Sequence, residues 1–351
     1  MTIALDAMGG DFGPPVIVPA ASLALAELPE GARFIFFGDQ SRIVPLLERY
    51  PQLKNVSSIR HTDKVVGSHE KPSAALRNGK DSSMRLAIDA VKNGEADGIV
   101  SAGNTGALMA TAKMVFKCLS GIHRPAIASV FPSIKGDTVM LDLGANVVCD
   151  AEILTQFAVL GAVYARVVKG INNPTVGLLN VGTEDMKGHE QVRAAHAILS
   201  SIEFPGQYEG FVEGNDVTRG TVDVVVTDGF TGNVALKVGE GVGELTNHFI
   251  KDAFRSSLLA QIGGLLCYGA LKRVKQKLDP RNYNGGMFLG LDGICVKSHG
   301  GTDAVGFRHS ILMAANLVRQ GYNKRVAHEI EQLMNQESFL SGIAAQTSEG
   351  S

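Results

Sequence analysis

Residues 141–157 read LDLGANVVCDAEILTQF, and this stretch decides the fold class. It continues an apolar, β-branched run over 138–143, turns on Gly144 and Asn146, and opens at Asp150 into a long apolar segment over 151–169. Aspartate is a natural N-cap, because its carboxylate accepts a backbone N–H that the first helical turn leaves without a partner. A strand, a glycine turn and a capped helix make one βα unit.

The same unit recurs in both directions along the chain. Strands are predicted over 2–6, 33–37, 56–60, 98–101, 127–131, 138–143, 175–181, 208–213, 222–227 and 294–297. Helices are predicted over 15–27, 81–92, 105–119, 151–169, 189–202, 232–254 and 303–320. VDVVVTD, residues 222–228, is apolar on both faces, as a strand covered by helices on either side must be. Such alternation predicts an α/β fold with a mostly parallel sheet sandwiched by helices. One large catalytic unit is expected over 1–340, with a polar tail at 341–351. Residues 242–278 carry no strand signal and are split by Gly263 and Gly264, so they read as a protruding helical hairpin inserted in the unit.

Composition narrows the class of function. The 351 residues hold 41 glycines without a Gly-X-Y period, against a usual share of roughly 7%, and 45% of residues are hydrophobic. Collagen and disorder are both excluded. The 33 basic and 35 acidic side chains leave a net charge of −2, which argues against a nucleic-acid partner. Cys118, Cys149, Cys267 and Cys295 are far apart, so no disulfide scaffold or structural zinc is indicated and a reducing cytoplasm is expected. MTIALDAMGG lacks a basic leader and places Asp6 where a signal peptide needs apolar residues. The uncharged stretch 256–271 has 16 residues, short of the roughly 18 to 20 that span a bilayer.

The glycines concentrate after predicted strands. DAMGGD (Asp6, Gly9, Gly10), SAGNTG (Asn104, Thr105), DLGAN (Asp142, Asn146), LNVGTEDMKG (Asn180, Thr183, Lys187), TDGFTGN (Asp228, Asn233) and KSHGGTD (Lys297, His299, Gly300) all stand at such points. In open parallel sheets ligands bind at the carboxyl ends of strands. Backbone amides at helix starts, with hydroxyls and a lysine, make an anion site suited to phosphate. Gly79-Lys80 is followed by Asp81, so there is no P-loop, and no G-x-G-x-x-G follows a strand; ATP and NAD are disfavoured. No H-E-x-x-H or G-x-S-x-G occurs, so neither a metal site nor a serine nucleophile is expected. Cys118 and Cys267 lie in apolar helical contexts and read as buried hydrophobes.

In the predicted hairpin, Leu258, Leu259, Ile262, Leu265 and Leu266 gather around the glycine pair. Lys272, Arg273, Lys275, Lys277 and Arg281 follow, against Asp279. An apolar tip beside a basic helix suits the interface of an anionic membrane. Burial against a second subunit, or docking of an acidic protein, accounts for the same residues.

With these motifs assembled, the chain resembles the phosphate acyltransferase (PlsX) family of bacterial phospholipid synthesis. The likeness runs through IALDAMGGDFGP, SAGNTGAL, DLGAN, GLLNVGTEDMKG, DVVVTDGFTGNVALK and GLDGICVKSHGGTD, in order and over essentially the whole length. It implies an isocitrate/isopropylmalate dehydrogenase-like α/β fold related to phosphotransacetylases. It implies a homodimer without cofactor, cytoplasmic and peripherally attached to the membrane. The activity implied is transfer of a long-chain acyl group from acyl carrier protein to inorganic phosphate. The acyl phosphate would pass to a membrane glycerol-3-phosphate acyltransferase.

That reaction needs no covalent intermediate, since phosphate is an anionic nucleophile and a thiol of pKa about 8.5 leaves readily. Positioning and oxyanion stabilisation should suffice. Lys187 is expected to neutralise phosphate or the developing charge, and Asn233 to donate to the oxyanion or phosphate. Thr183, Asn104, Thr105 and Asn146 are expected to complete the cradle, with Gly9, Gly10, Asn180, Asp228, His299 and Gly300 as further binding residues. A phosphotransacetylase using acyl-coenzyme A, an NAD-dependent decarboxylating dehydrogenase and a non-catalytic membrane scaffold are the rival readings.

Overall fold

The structure, a computed structural model, describes residues 1–277 and 279–334. The expected tail at 341–351 and the last residue of the expected hairpin lie outside the described residues. Eleven strands form one sheet: β1 (Thr2–Asp6), β2 (Arg33–Gly38), β3 (Ser57–His61), β4 (Gly98–Ser101), β5 (Ala126–Ser133), β6 (Gly136–Leu141), β7 (Thr175–Leu179), β8 (Gln207–Val212), β9 (Val224–Val226), β10 (Gly286–Leu289) and β11 (Ile294–Lys297). Their order is β3-β2-β1-β4-β11-β10-β5-β6-β9-β7-β8. The expected α/β sandwich with a mostly parallel sheet is the fold observed. All ten predicted strands are present.

Strand β10, of sequence GMFL, is the one that the sequence did not reveal. It has four residues and glycines on both flanks, too little for a pattern of alternation. Its effect on topology is large. β10 runs antiparallel to both β11 and β5, and β5 runs antiparallel to β6. Strands β1 to β5 and β11 therefore point one way along the sheet, and β6 to β10 the other.

Helices cover both faces. Strand β1 illustrates the division: Ile3 and Leu5 enter the core beneath helices Pro14–Leu25, Ala151–Val168 and Ala304–Gln320, while Ala4 packs toward helices Ser83–Lys92 and Thr105–Phe116. The helix that opened the sequence reading is the centre of the larger core. Asp150 caps it, its Oδ1 accepting the Ile153 amide at 2.8 Å. Ala151–Val168 is long and apolar enough to cross a bilayer, yet 83% of it is buried inside the protein. Phe157 is fully buried, and Tyr164 meets Tyr322 edge to face at 6.0 Å between ring centres. Each such side chain contributes about 2 kcal/mol by leaving water.

Several helices escaped the sequence reading: Gln40–Leu47, Pro51–Asn55, Pro72–Asn78, Gly214–Arg219 and Tyr322–Met334. Four have eight residues or fewer, and proline starts or interrupts three of these, so periodicity had little to act on. Helix Gly229–Arg255 has 27 residues, and only Gly229 and Gly232 are buried. At 1.5 Å per residue it extends about 40 Å. Helices Leu258–Leu266 and Tyr268–Lys277 follow it. Leu258, Leu259, Ile262, Leu265 and Leu266 are all exposed. Two cysteines correct the sequence reading. Cys267 is exposed because it follows the protruding Leu258–Leu266 helix. Cys118 is only half-buried, because its helix ends at Phe116 and the chain turns to bridge Leu291.

Candidate active site

Because the sheet changes polarity, the six glycine turns separate into two groups of three. The turns after β1, β4 and β11, which are neighbours in the sheet, carry Gly9, Gly10, Asn104, Thr105, His299 and Gly300. The turns after β6, β9 and β7, also neighbours, carry Asn146, Asp228, Asn233, Asn180, Thr183 and Lys187. From β11 to β6 is three strand spacings, about 14 Å, and the carboxyl ends of those two strands leave the sheet along opposite edges. A single cradle made of all six turns, as the sequence suggested, is not what one chain builds.

The second group is organised by Asp142, the first residue after β6. Its buried carboxylate accepts the amides of Ile127, Gly144, Ala145 and Asn146 at 2.7–3.2 Å, and the Asn146 Nδ2 at 2.9 Å. Burial pushes this carboxyl above the ordinary aspartate range, and those hydrogen bonds pull against the shift. Asn146 also donates to the Pro125 carbonyl at 2.8 Å. Both hydrogens of its amide are thus committed within the protein, and it shapes the loop without offering a free donor.

Helix Gly229–Arg255 begins directly on this loop. Asp228 caps it by accepting the Thr231 amide and hydroxyl, and the Gly229 amide donates to the Asn146 carbonyl at 2.7 Å. A Cβ on Gly229 would stand 2.6 Å from that same carbonyl oxygen, and one on Gly232 would overlap the Asp142 carbonyl. Only glycine lets backbone meet backbone so closely. Asn233 is thereby delivered to Gly144, where its Cβ lies 3.5 Å from the position that a Cβ there would take. Its half-buried side-chain amide has no hydrogen-bond partner among the described residues.

The loop after β7 is built on Asn180. Its Nδ2 donates to the Lys187 carbonyl at 3.0 Å, and Gly188, with φ of +89°, leaves room for its side chain. The Lys187 stem packs over Gly182, and its exposed ammonium has no ion pair among the described residues. The exposed Thr183 hydroxyl also has no partner among the described residues. On turns that follow neighbouring strands they give a cation, an amide and a hydroxyl, the amide lying at the positive end of a long helix. Cys149, close to Asn146, is buried and its thiol is pushed up to about 12, first by burial and then by Asp142 and Asp228. It is no thiolate nucleophile at neutral pH.

In the first group, Asn104 is fully engaged. Its Oδ1 caps helix Thr105–Phe116 through Ala107, and its Nδ2 donates to the carbonyls of Gly67, Ser68 and Glu70. The role expected for it in an anion cradle is displaced by a structural one. Thr105 and His299 are exposed, the latter accepting the Gly301 amide at Nδ1. Sequence reasoning passed over a further feature of the second group. Phe230, Val234, Val238, Val242, Leu245 and Phe249 are all exposed along one helix, at spacings of three and four that the sequence displays openly.

In fold, the chain is a phosphotransacylase-like α/β protein. It aligns over 91% of its length, and 94% of the other chain, with a phosphotransacetylase from Streptococcus pyogenes at a TM-score of 0.61 and 17% identity. EutD phosphotransacetylase from Staphylococcus aureus aligns with 90% of this chain and 93% of its own at 0.55 and 16% identity. In sequence the likeness is far closer. A fatty acid synthesis protein family model matches residues 1–325. The phosphate acyltransferase of Paramagnetospirillum magneticum is 55% identical over 347 residues, covering 99% of both chains. That of Rhodospirillum centenum is 56% identical over 331 residues, covering 94% of this chain and 93% of its own. The chain belongs to the phosphate acyltransferase family, and it is an acyltransferase.

Proposed function

We propose that the chain transfers a long-chain acyl group from the thioester of acyl carrier protein to inorganic phosphate. A phosphate oxygen attacks the thioester carbonyl, the C–S bond breaks, and the products are acyl phosphate and free carrier thiol. The observation that carries this reading is the pair Lys187 and Asn233, whose side-chain ammonium and amide have no partner among the described residues, on the turns after neighbouring strands β7 and β9. Lys187 neutralises phosphate as it approaches, and Asn233 donates its amide to the oxyanion. Thr183 binds phosphate, while Asn146, Asn180, Asp142 and Asp228 hold the loops in place. Removing one oxyanion donor typically costs 10²- to 10³-fold in rate.

The chain works as a homodimer in the cytoplasm, the apolar stripe of helix Gly229–Arg255 being covered by a second copy. The exposed leucines and isoleucine of Leu258–Leu266 sit in the interface of an anionic membrane. There the acyl phosphate, a reactive amphiphile, passes to a membrane glycerol-3-phosphate acyltransferase without crossing water.

The test is trapping of acyl phosphate as hydroxamate, with phosphate-dependent release of carrier thiol, by the parent, Lys187→Ala and Asn233→Ala. Both variants should lose at least 10²-fold in kcat while staying folded; parental rates in both would overturn the assignment. Acyl-coenzyme A as an equal or better donor than acyl carrier protein would favour the phosphotransacetylase reading.

A further inference from the structure

The loop between helix Thr105–Phe116 and β5 enters the sheet beside the carboxyl end of β6, because β5 and β6 run antiparallel and Ala128 pairs with Leu141. It is tied to the candidate active site at two points. The Pro125 carbonyl accepts the Asn146 side-chain amide at 2.8 Å, and the charge of Arg124, one residue earlier, acts on the buried Cys149 thiol. The same loop gathers cations. Lys113 Nζ donates to the His123 carbonyl at 3.3 Å, beside Arg124, and the Lys117 amide closes the helix on the Lys113 carbonyl at 3.1 Å. Lys113, Lys117 and Arg124 are exposed, and none has an ion pair among the described residues. Two acids beside the loop are already engaged. Glu152 stands 3.6 Å from Nδ1 of His123, and Asp292, whose amide donates to the Lys117 carbonyl, stands 3.7 Å from the Lys92 ammonium.

Lys117 adds an independent sign. It has φ of +69° and ψ of 176°, and no other non-glycine residue among those described has a positive φ. That region of backbone space is almost confined to glycine. A lysine kept where glycine would be free of strain is explained if its charge is used. Met114, also exposed, adds an apolar contact among the cations, a mixture that suits a protein surface. A bilayer is a poorer fit. The loop adjoins the start of helix Gly229–Arg255, whereas the exposed leucines of Leu258–Leu266 follow its other end, about 40 Å away along the helix.

We propose that Lys113, Lys117 and Arg124 form the docking surface for an acidic face of the carrier protein that delivers the acyl thioester. The inference rests on the reading that the donor is a carrier protein and that Lys187 and Asn233 mark the reacting end. A carrier docked here stands beside the Asn146 loop, which itself meets the start of the helix that bears Asn233. Opposite charges across such a surface speed encounter and fix orientation. These cations therefore govern KM for the carrier-bound donor and leave the chemical step alone.

The experiment is hydroxamate-trapped acyl transfer by the full chain, with the same acyl group presented on acyl carrier protein or on free pantetheine. It uses the parent and Lys113→Glu combined with Arg124→Glu. KM for the carrier donor should rise about tenfold in the variant, with kcat and the rate on acyl-pantetheine unchanged. Added salt should raise that KM in the parent and have little effect in the variant. Lys117→Glu should act in the same direction; should it not fold, Lys117→Gly removes the charge and keeps the backbone conformation. A parental KM for the carrier in the folded variants overturns the proposal. So does an equal loss with both donors, which would assign these residues to the chemistry. A parent that uses acyl-pantetheine as well as the carrier removes the carrier reading and this proposal with it, whereas a parental rate in Lys187→Ala strikes the active-site reading alone.

Discussion

Gly229→Ala separates the geometric account of the active site from a compositional one. A methyl group there would stand 2.6 Å from the Asn146 carbonyl, 2.9 Å from its amide nitrogen and 2.9 Å from the Asp142 carboxylate. Two of those three atoms are backbone, and the third is held by five hydrogen bonds, so none can swing aside. Ordinary contact begins near 3.4 Å, so the helix start must retreat by about 0.8 Å. Asn233, one turn along, moves with it. A 1 Å misplacement of a reacting partner can cost about 10²-fold in rate, so kcat for acyl phosphate formation should fall about 10- to 100-fold. Overpacking adds a stability loss of about 1–3 kcal/mol. Gly243→Ala, on the same helix with open space around it and away from the apolar stripe, should instead gain up to about 1 kcal/mol from helix propensity and keep the parental rate. Hydroxamate trapping with calorimetry measures both. A parental rate in Gly229→Ala, with no loss of stability, would refute the claim that this backbone contact positions Asn233.

Other perturbations address the surfaces and the core. Val238→Glu with Leu245→Glu should convert dimer to monomer in sedimentation at micromolar concentration; an unchanged dimer would remove the apolar stripe as the interface. Leu258→Glu with Ile262→Glu should abolish co-sedimentation with anionic vesicles while leaving transfer from a water-soluble donor intact, and undiminished vesicle binding would refute the membrane contact. Phe157→Ala should cost about 3–5 kcal/mol in denaturant unfolding, and a loss under 1 kcal/mol would contradict its place at the centre of the larger core. The Lys297 ammonium is depressed from 10.5 to about 8 in the folded chain. The unfolded state then binds more protons between those values, so its contribution to stability rises with pH from about 8 to 10.5. Lys297→Met should flatten the stability profile in that window, by on the order of 3 kcal/mol; an identical slope in parent and variant would contradict the shift.

What could be read from the sequence follows from where its information is local. Asp150 and the run from Ala151 were legible as a cap and a helix because an N-cap needs only an amide three residues on. Glycine turns were visible for a similar reason, as were Lys187 and Asn233 beside them. Asn104 and Asn146 misled because an asparagine in a turn looks the same whether its amide faces a ligand or a carbonyl; their partners, Gly67, Ser68, Glu70 and Pro125, are between 21 and 37 residues away. The setting of Lys297 was equally hidden, since one of the carbonyls it donates to, that of Ala102, is 195 positions earlier.

The deepest loss came from four residues. Gly286 to Leu289 carry almost no pattern, yet by pairing antiparallel on both sides they let β5 keep the direction of β11 while β6 takes the opposite one. Had all six glycine-bearing strands been parallel, their turns would have opened on one edge and the expectation of a single phosphate cradle would have held. The reversal instead assigns three turns to each edge, and each set has its own lysine: Lys187, exposed on a loop, and Lys297, half-buried at a strand end. Acyl transfer to phosphate has an incoming anion to place, and the turns after β6, β9 and β7 offer Lys187 and Asn233 for it; the Lys187→Ala variant, which removes that cation, is where the assignment becomes measurable.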